Sequence, residues 1–319
     1  MGLKMNKIAT ELDGVKTVAI AGHIRPDGDC IGSCMGMYHY IRENYSGIRA
    51  DVYLEEIPFV FHNIADVEKI KHTYDNDSIY DLFISLDCAD RERLGKADKY
   101  LESAKKTICI DHHISNHGFA DINYIYPDAS STSELIYDLI EEDNLTKPIA
   151  EALYTGIVHD TGVFQYPCTS GKTMTIAGKL METGIEFTKI IEDSFYKKTF
   201  VQNQILGRVL LESILLLDGK CIVGVLSEKD MDFYNVTSKD LEGIVSQLKV
   251  TDGVEVAIFL YEVDTMQYKI SLRSKGKVDV SVVASYFNGG GHVLASGCSF
   301  SGTYRDAIRN VMKQIEKQL

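Results

Sequence analysis

Short apolar runs alternate with helical spacings through the first half of this chain. Lys16 to Gly22 is a short apolar run that ends in a polar loop, His23 to Gly28, and reads as a buried strand. Ile31, Met35, Tyr38 and Ile41 then recur at helical spacing up to Asn44. Two more apolar runs, Ile79 to Leu86 and Lys106 to Ile110, are each followed at once by an aspartate. Ser131-Thr-Ser-Glu134 has capping-box spacing and opens a helix carrying Leu135, Ile136, Leu139 and Ile140. Pro148 suits the first turn of the next helix, which runs through Leu153 and Ile157 to Asp160. Strands alternating with helices in this way predict a mostly parallel sheet with helices on both faces.

The rhythm then changes. Residues 170–213 read as helical throughout, with Gly184 as a stop between two helices. Strand patterns at Cys221–Leu226, Val254–Glu262 and Gln267–Leu272 surround a helix near Ser238–Leu248. A further helix at Val280–Phe287 leads into a glycine cluster, and a last helix starts at Tyr304. The expected fold class is therefore α/β, with a smaller C-terminal mixed-sheet α/β domain. The expected division is 1–195 for the first domain, 196–213 for a helical connector and 214–319 for the second.

Composition narrows the classes. The 319 residues are 45% hydrophobic and 25% charged, a globular balance with room for two domains. No apolar run is long enough for a membrane helix and the first residues show no apolar signal region, so a cytoplasmic location without membrane contact is expected. Seven scattered cysteines form no Cys-x-x-Cys pair, so neither a disulfide framework nor a thiolate zinc site is expected. Cys30 and Cys88 lie close to the aspartates of interest, but both read as small buried hydrophobes. The net charge of −13 argues against a grip on long duplex nucleic acid and favours a small or short anionic substrate.

Four segments carry the chemistry. His23-x-x-x-Asp27-x-Asp29 offers three metal ligands where a strand gives way to a helix, the place where open parallel sheets hold ligands. Each of its aspartates is equally readable alone as a turn or cap residue. Asp87 follows the second strand, and Asp90 reads as a turn residue. Asp111-His112-His113 follows the third strand. Neighbouring side chains diverge, so one histidine can bind metal while the other faces substrate, and Asp111 can orient a ligand histidine. Asp160 ends a helix, where a carboxylate opposes the helix dipole and a nearby cation reverses that cost. His159 is a core or supporting histidine. Asp27, Asp29, Asp87 and Asp160 together bring four negative charges, which two divalent cations balance. Oxygen-rich ligation with a few imidazoles suits manganese, iron or magnesium. Two such ions about 3.5–4 Å apart clamp the attacking and leaving oxygens of a phosphoryl displacement.

These motifs resemble the four motifs of the DHH phosphoesterase superfamily. Gly289-Gly290-Gly291-His292-x-x-Ala295-x-Gly297 is similar to the glycine-rich motif of the DHH-associated C-terminal domain. The resemblance spans nearly the whole chain. It implies one ion on His23, Asp27 and Asp87, and another on Asp29, Asp87, His112 and Asp160, with manganese (Mn2+) as the usual metal and Mg2+ or Fe2+ as alternatives. It implies that His113 faces the scissile phosphate, that Asp111 supports the ligands, and that the site lies in a cleft between the domains. Arg273, Ser274, Gly290, Gly291 and His292 then grip the substrate, with Arg93 and Asn116 as further phosphate contacts. The chain is too short for the large single-strand exonucleases and lacks the membrane segments of the cyclic dinucleotide enzymes. It lacks the lysine-rich signature of family II pyrophosphatases. The compact nano-RNase or oligoribonuclease type remains, which implies cleavage of short RNA and of 3'-phosphoadenosine 5'-phosphate (pAp). A stand-alone phosphodiesterase of cyclic di-AMP or pApA is the alternative, and a homodimer is compatible with the family.

Overall fold

A computed structural model describes residues 7–319, which divide into two compact units meeting between Lys197 and Lys198. The first unit is built on five strands: β1 (Thr17–Ala21), β2 (Arg49–Tyr53), β3 (Leu82–Leu86), β4 (Thr107–Asp111) and β5 (Ile122–Ile125). All four pairings are parallel, in the order β2-β1-β3-β4-β5. In a sheet of this order the chain reverses its winding direction between β1 and β3, and the crevice at that point is where such folds bind ligands. The register brings Ala21 beside Ser85, and Leu86 beside Ile110. The three segments that follow β1, β3 and β4 therefore leave the sheet at one edge.

The central strands β3 and β4 are buried at every position, as a sheet covered on both faces requires. One face packs on helices Gly28–Asn44, Thr132–Leu139 and Lys147–Asp160. The other is closed by a tyrosine-rich cluster of Tyr53, Tyr80 and Tyr100. Two helices of the first face touch almost backbone to backbone. A Cβ on Gly32 would lie 2.5 Å from Ala152 O and 2.8 Å from Gly156 N, and one on Gly36 would strike the Leu153 side chain. Gly28, Gly32 and Gly36 recur every fourth residue, so they line one side of their helix and let the second helix approach.

Expectation and structure differ at several places. Strands β2 and β5 were not expected, and both carry partly exposed residues that break the apolar signal. The segment expected to be helical from 170 to 213 with a stop at Gly184 does break there, between Gly171–Glu182 and Phe187–Ile191, and breaks again around a π-helical turn at Glu192–Tyr196 before Phe200–Glu212. Ser131 caps its helix by accepting from Glu134 N at 3.0 Å. The Glu134 carboxylate instead takes hydroxyl protons from Ser130 and Thr173, so the return half of the capping box is not made.

The start of β1 is held by a single carboxylate. Asp81 accepts from Lys16 N, Thr17 N and Thr17 Oγ1, and pairs with Lys105 Nζ at 2.7 Å. Lys105 and these backbone donors hold its pKa well below the ordinary 3.8. A depressed carboxylate stabilises the fold above its unfolded pKa, and that contribution disappears as pH falls below about 3.8 toward the folded value. An Asp81→Asn variant is therefore expected to melt lower than the parent at pH 7, with the gap closing as the pH is taken down through 3. Melting curves of both proteins across that range check it.

The second unit is a six-stranded mixed sheet: β6 (Ile214–Leu216), β7 (Cys221–Leu226), β8 (Val256–Asp264), β9 (Gln267–Ser274), β10 (Gly290–His292) and β11 (Ala295–Ser301). Its order is β10-β11-β9-β8-β7-β6, with β7 and β8 parallel and the other pairs antiparallel. Helices Val280–Ser285 and Tyr304–Ile315 cover one face. Helices Phe200–Glu212 and Ile244–Lys249 cover the β7–β8 part of the other. The glycine run that the resemblance assigns to substrate contact forms the edge strand β10, joined to β11 by Val293 and Leu294 alone.

Candidate metal centre

His23 lies just past β1 and is 4% exposed. Its Nδ1 donates to Ile24 O at 2.9 Å, which fixes the ring and turns Nε2 toward the carboxylates. Nε2 is 3.5 Å from Asp27 Oδ2 and 3.5 Å from Asp87 Oδ2. Asp27 caps helix Gly28–Asn44 by accepting from Cys30 N, and its side chain stays largely exposed. Asp29 sits in the first turn of that helix and is fully buried. It accepts from Thr132 N at 2.6 Å and Ser133 N at 2.9 Å, the free amides at the start of helix Thr132–Leu139. A helix N-terminus favours negative charge, so the second helix holds this aspartate in place.

Asp87 stands at the centre. It follows β3 with φ of 55° in the left-handed region, which an aspartate tolerates better than most residues. Its Oδ2 faces His23, and its Oδ1 lies 3.6 Å from His112 Nε2. His112 also points Nε2 at Asp160 Oδ2, 3.0 Å away, with Nδ1 near Ala129 O. Asp160 closes helix Lys147–Asp160, and the chain after it holds Gly162, Val163 and Phe164 at positive φ. A valine there is strained, and strain of this kind gathers where a site dictates the backbone.

The two adjacent histidines behave differently. His113 turns Nδ1 to Asp111 Oδ1 at 2.8 Å, while Asn116 Nδ2 donates to the other oxygen of Asp111. Burial pushes Asp111 up, but His113 and Asn116 outweigh it and hold the carboxyl below its ordinary value. His113 is raised by the same hydrogen bond, against burial. Asp111 is thus an anion that keeps the proton on Nδ1 and leaves Nε2 to face outward.

The donor set fits divalent cations. Asp29, His112 and Asp160 each place one ligand atom within 4.8 Å of the others, as do Asp87, His112 and His113. His23, Cys30 and Asp87 form a third such group. The Cys30 thiol is pushed well up by burial and packs on Gly22, so it stays protonated there. Asp27, Asp87 and Asp160 pair with histidines, His23 and His112. Protons offset part of the crowded negative charge. Burial raises Asp160 to about 6 with help from Asp87, and Asp29 stands well above its ordinary value from burial, Asp87 and Asp160. Burial lowers His112, but Asp160 and Asp29 overcome it and lift the ring to about 10. His23 reaches about 11 because Asp27 and Asp87 outweigh its burial. A carboxylate cluster that gathers protons in this way exchanges them for metal when metal binds.

The other expected contacts are placed as follows. Arg93 is partly exposed and its backbone carbonyl accepts from Ile24 N at 2.8 Å, so its loop braces the His23 loop. Asn116 is 6% exposed and its amide is engaged with Asp111 and Cys88 O. Ser274 is 1% exposed and donates to Glu255 Oε1. Neither polar group is presented at the surface. In the second unit Arg273, Ala295 and His292 lie side by side on three neighbouring strands, and Gly290 and Gly291 are exposed along the edge strand. His159 belongs to none of the three ligand groups. Burial drops it to about 4, its Nε2 meets Ser194 Oγ, and its ring fills the space that Gly28 leaves open.

Residues 17–157 match the DHH family, N-terminal domain, and residues 218–319 match the DHHA1 domain. A probable bifunctional oligoribonuclease and PAP phosphatase of Streptococcus mutans is 32% identical over 97% of this chain and 98% of its own. The Bacillus subtilis bifunctional oligoribonuclease and PAP phosphatase is 30% identical over 89% of each. The crystal structure of an exopolyphosphatase-related protein from Bacteroides fragilis superposes with a TM-score of 0.89 at 29% identity. That match covers 97% of this chain and 94% of the other.

Proposed function

The chain belongs to the DHH family of phosphoesterases, and on that footing we propose that it hydrolyses short oligoribonucleotides and pAp at a dinuclear metal centre. The observation that carries this reading is the placement of Asp87, whose two oxygens face two separate histidine–carboxylate sets. His23, Asp27 and Asp87 would hold one divalent cation. Asp29, Asp87, His112 and Asp160 would hold the other, with manganese as the metal proposed. Such a pair supplies charge neutralisation at the phosphate and a deprotonated water at neutral pH.

The side chains do the rest. His113 presents Nε2 with Nδ1 held by Asp111, so it is oriented to donate to a phosphate oxygen or to the departing ester oxygen. In hydrolysis the bond from phosphorus to that oxygen breaks, water oxygen takes its place, and a proton ends on the leaving group. Asp29 is fixed by two backbone amides, so its side chain needs no rearrangement when charge develops. Arg273 and His292 share a row of the second sheet and offer cationic and hydrogen-bonding contacts to a substrate phosphate. The short nucleic-acid substrate of the Streptococcus and Bacillus relatives, and the net charge of −13, both support a ligand with few phosphates.

A substrate panel with added manganese tests the reading. The panel holds pAp, pApA, cyclic di-AMP, two- to five-residue RNA, pyrophosphate and longer single strands. Turnover is expected to be fastest on RNA dinucleotides and pAp and to fall with length. Fast cleavage of cyclic di-AMP beside sluggish dinucleotide cleavage would overturn it.

A further inference from the structure

Five consecutive polar residues, Ser130 to Glu134, are each buried to 1% exposure or less beside the metal centre. Burying polar groups costs free energy unless they are hydrogen-bonded, so the partners of this run show what it serves. Its ends anchor it. Ser131 Oγ accepts from Glu134 N at 3.0 Å and caps helix Thr132–Leu139. The Glu134 carboxylate takes the hydroxyl protons of Ser130 at 2.6 Å and Thr173 at 2.7 Å, and Lys172 Nζ stands 3.2 Å from its other oxygen. Lys172 and Thr173 lie in the first turn of helix Gly171–Glu182, so the run is moored to a second helix outside the metal centre. A buried polar network satisfied in this way is rigid.

The middle of the run faces the ligands. Thr132 N and Ser133 N donate to the two oxygens of Asp29. Thr132 Oγ1 donates to Asp87 Oδ1 at 3.2 Å. One residue therefore bonds both carboxylates, Asp29 through its backbone and Asp87 through its side chain. The nitrogens of His23 and His112 stand 3.5 and 3.6 Å from Asp87, which is the separation of two ligands around a cation. The threonine hydroxyl instead bonds the carboxylate directly. It occupies one lone pair of Oδ1 and leaves the other, together with Oδ2, for the two histidine–carboxylate sets.

Given the dinuclear reading of this site, we infer that Thr132 is a positioning residue. Its hydroxyl fixes the plane of the bridging Asp87 carboxylate, and the Glu134 anchor holds Thr132 at the distance that this bond requires. Removing a partner that orients a metal ligand lowers metal affinity by about 10–100-fold.

Thr132→Val keeps the shape of the side chain and the amide bond to Asp29 and removes the hydroxyl, and Thr132→Ser restores it. Calorimetric titration of Mn2+ into the metal-free protein reads the effect without any turnover. The Kd for manganese is expected to rise roughly tenfold or more in Thr132→Val and to stay within about twofold of the parent in Thr132→Ser. Loss of packing alone would lower the melting temperature of the metal-free protein and leave the Kd where it was. A Thr132→Val protein with the parent's Kd therefore overturns the inference, and so does a Thr132→Ser protein as weak as the valine variant. Thr132→Ala takes the place of Thr132→Val if the latter does not fold. A parent that binds manganese yet cleaves no nucleotide fails the proposed substrates alone, and the titration still decides the role of Thr132. A parent that binds no manganese fails the dinuclear reading and this inference with it.

Discussion

An Asp87→Asn variant is expected to lose manganese-dependent turnover by roughly a thousandfold or more while keeping its fold. The argument rests on both oxygens of one carboxylate being used. Oδ2 faces His23 and Oδ1 faces His112, each about one ligand-to-ligand distance away. An amide keeps one acceptor oxygen and turns the other position into a donor, so it cannot complete both sets. Several kcal/mol of charge stabilisation at the phosphate depends on the pair of cations, and each 1.4 kcal/mol is about tenfold in rate. The backbone gives no reason for unfolding. Asparagine adopts the left-handed conformation found at position 87 as readily as aspartate, and Thr132 Oγ1 still has an oxygen to donate to. Removing one of four crowded negative charges also relieves repulsion in the metal-free protein. Metal content by atomic absorption, kcat/KM on a dinucleotide and circular dichroism decide the matter. A variant with parental activity sinks the dinuclear reading.

The chemistry-bearing residues were legible in the sequence because strand ends are. Each apolar run stops where its strand stops, and the polar residue that follows lies at one edge of a parallel sheet. His23, Asp87 and Asp111-His112-His113 were readable on that ground alone. The order of the sheet was not legible, since β2 and β5 are short and partly exposed and their apolar signal is weak. Asp29 was readable as a candidate ligand but not as a buried cap acceptor for a distant helix. That contact joins residues 103 and 104 positions apart, and no local pattern encodes it. The glycine run at 289–291 was legible as a motif but not as a strand. A run of glycines ordinarily means a turn, yet pairing with β11 makes Gly290–His292 a strand. Its signal was the alternation of small residues in Ala295-Ser-Gly297, which lets two backbones meet closely. The spacing of Gly28, Gly32 and Gly36 was on view from the start, but it acquires meaning only beside its partner helix.

That glycine ladder carries the second large prediction. A Gly32→Ala variant is expected to lose both stability and metal binding, although Gly32 is no ligand. The added Cβ would meet Ala152 O at 2.5 Å and Gly156 N at 2.8 Å, backbone atoms that no rotamer change can move. Relief requires the two helices to part, a form of overpacking that costs about 1–3 kcal/mol. One helix begins with Asp27 and Asp29 and the other ends with Asp160, so parting them spreads the ligands of a single site. Gly156 sharpens the argument, since a Cβ there would lie 2.0 Å from Ser133 Oγ and 2.6 Å from Asp29 Oδ1. The expected pattern is a lowered melting temperature without metal and a reduced manganese-induced rise in it, because a looser site binds the ion less tightly. Substituting Gly171, whose Cβ would meet nothing within 4 Å, is the control and should change neither quantity. A Gly32→Ala protein with the parent's metal-induced shift would show that the helix contact serves packing alone. The distance between the helices would then have no part in setting the site.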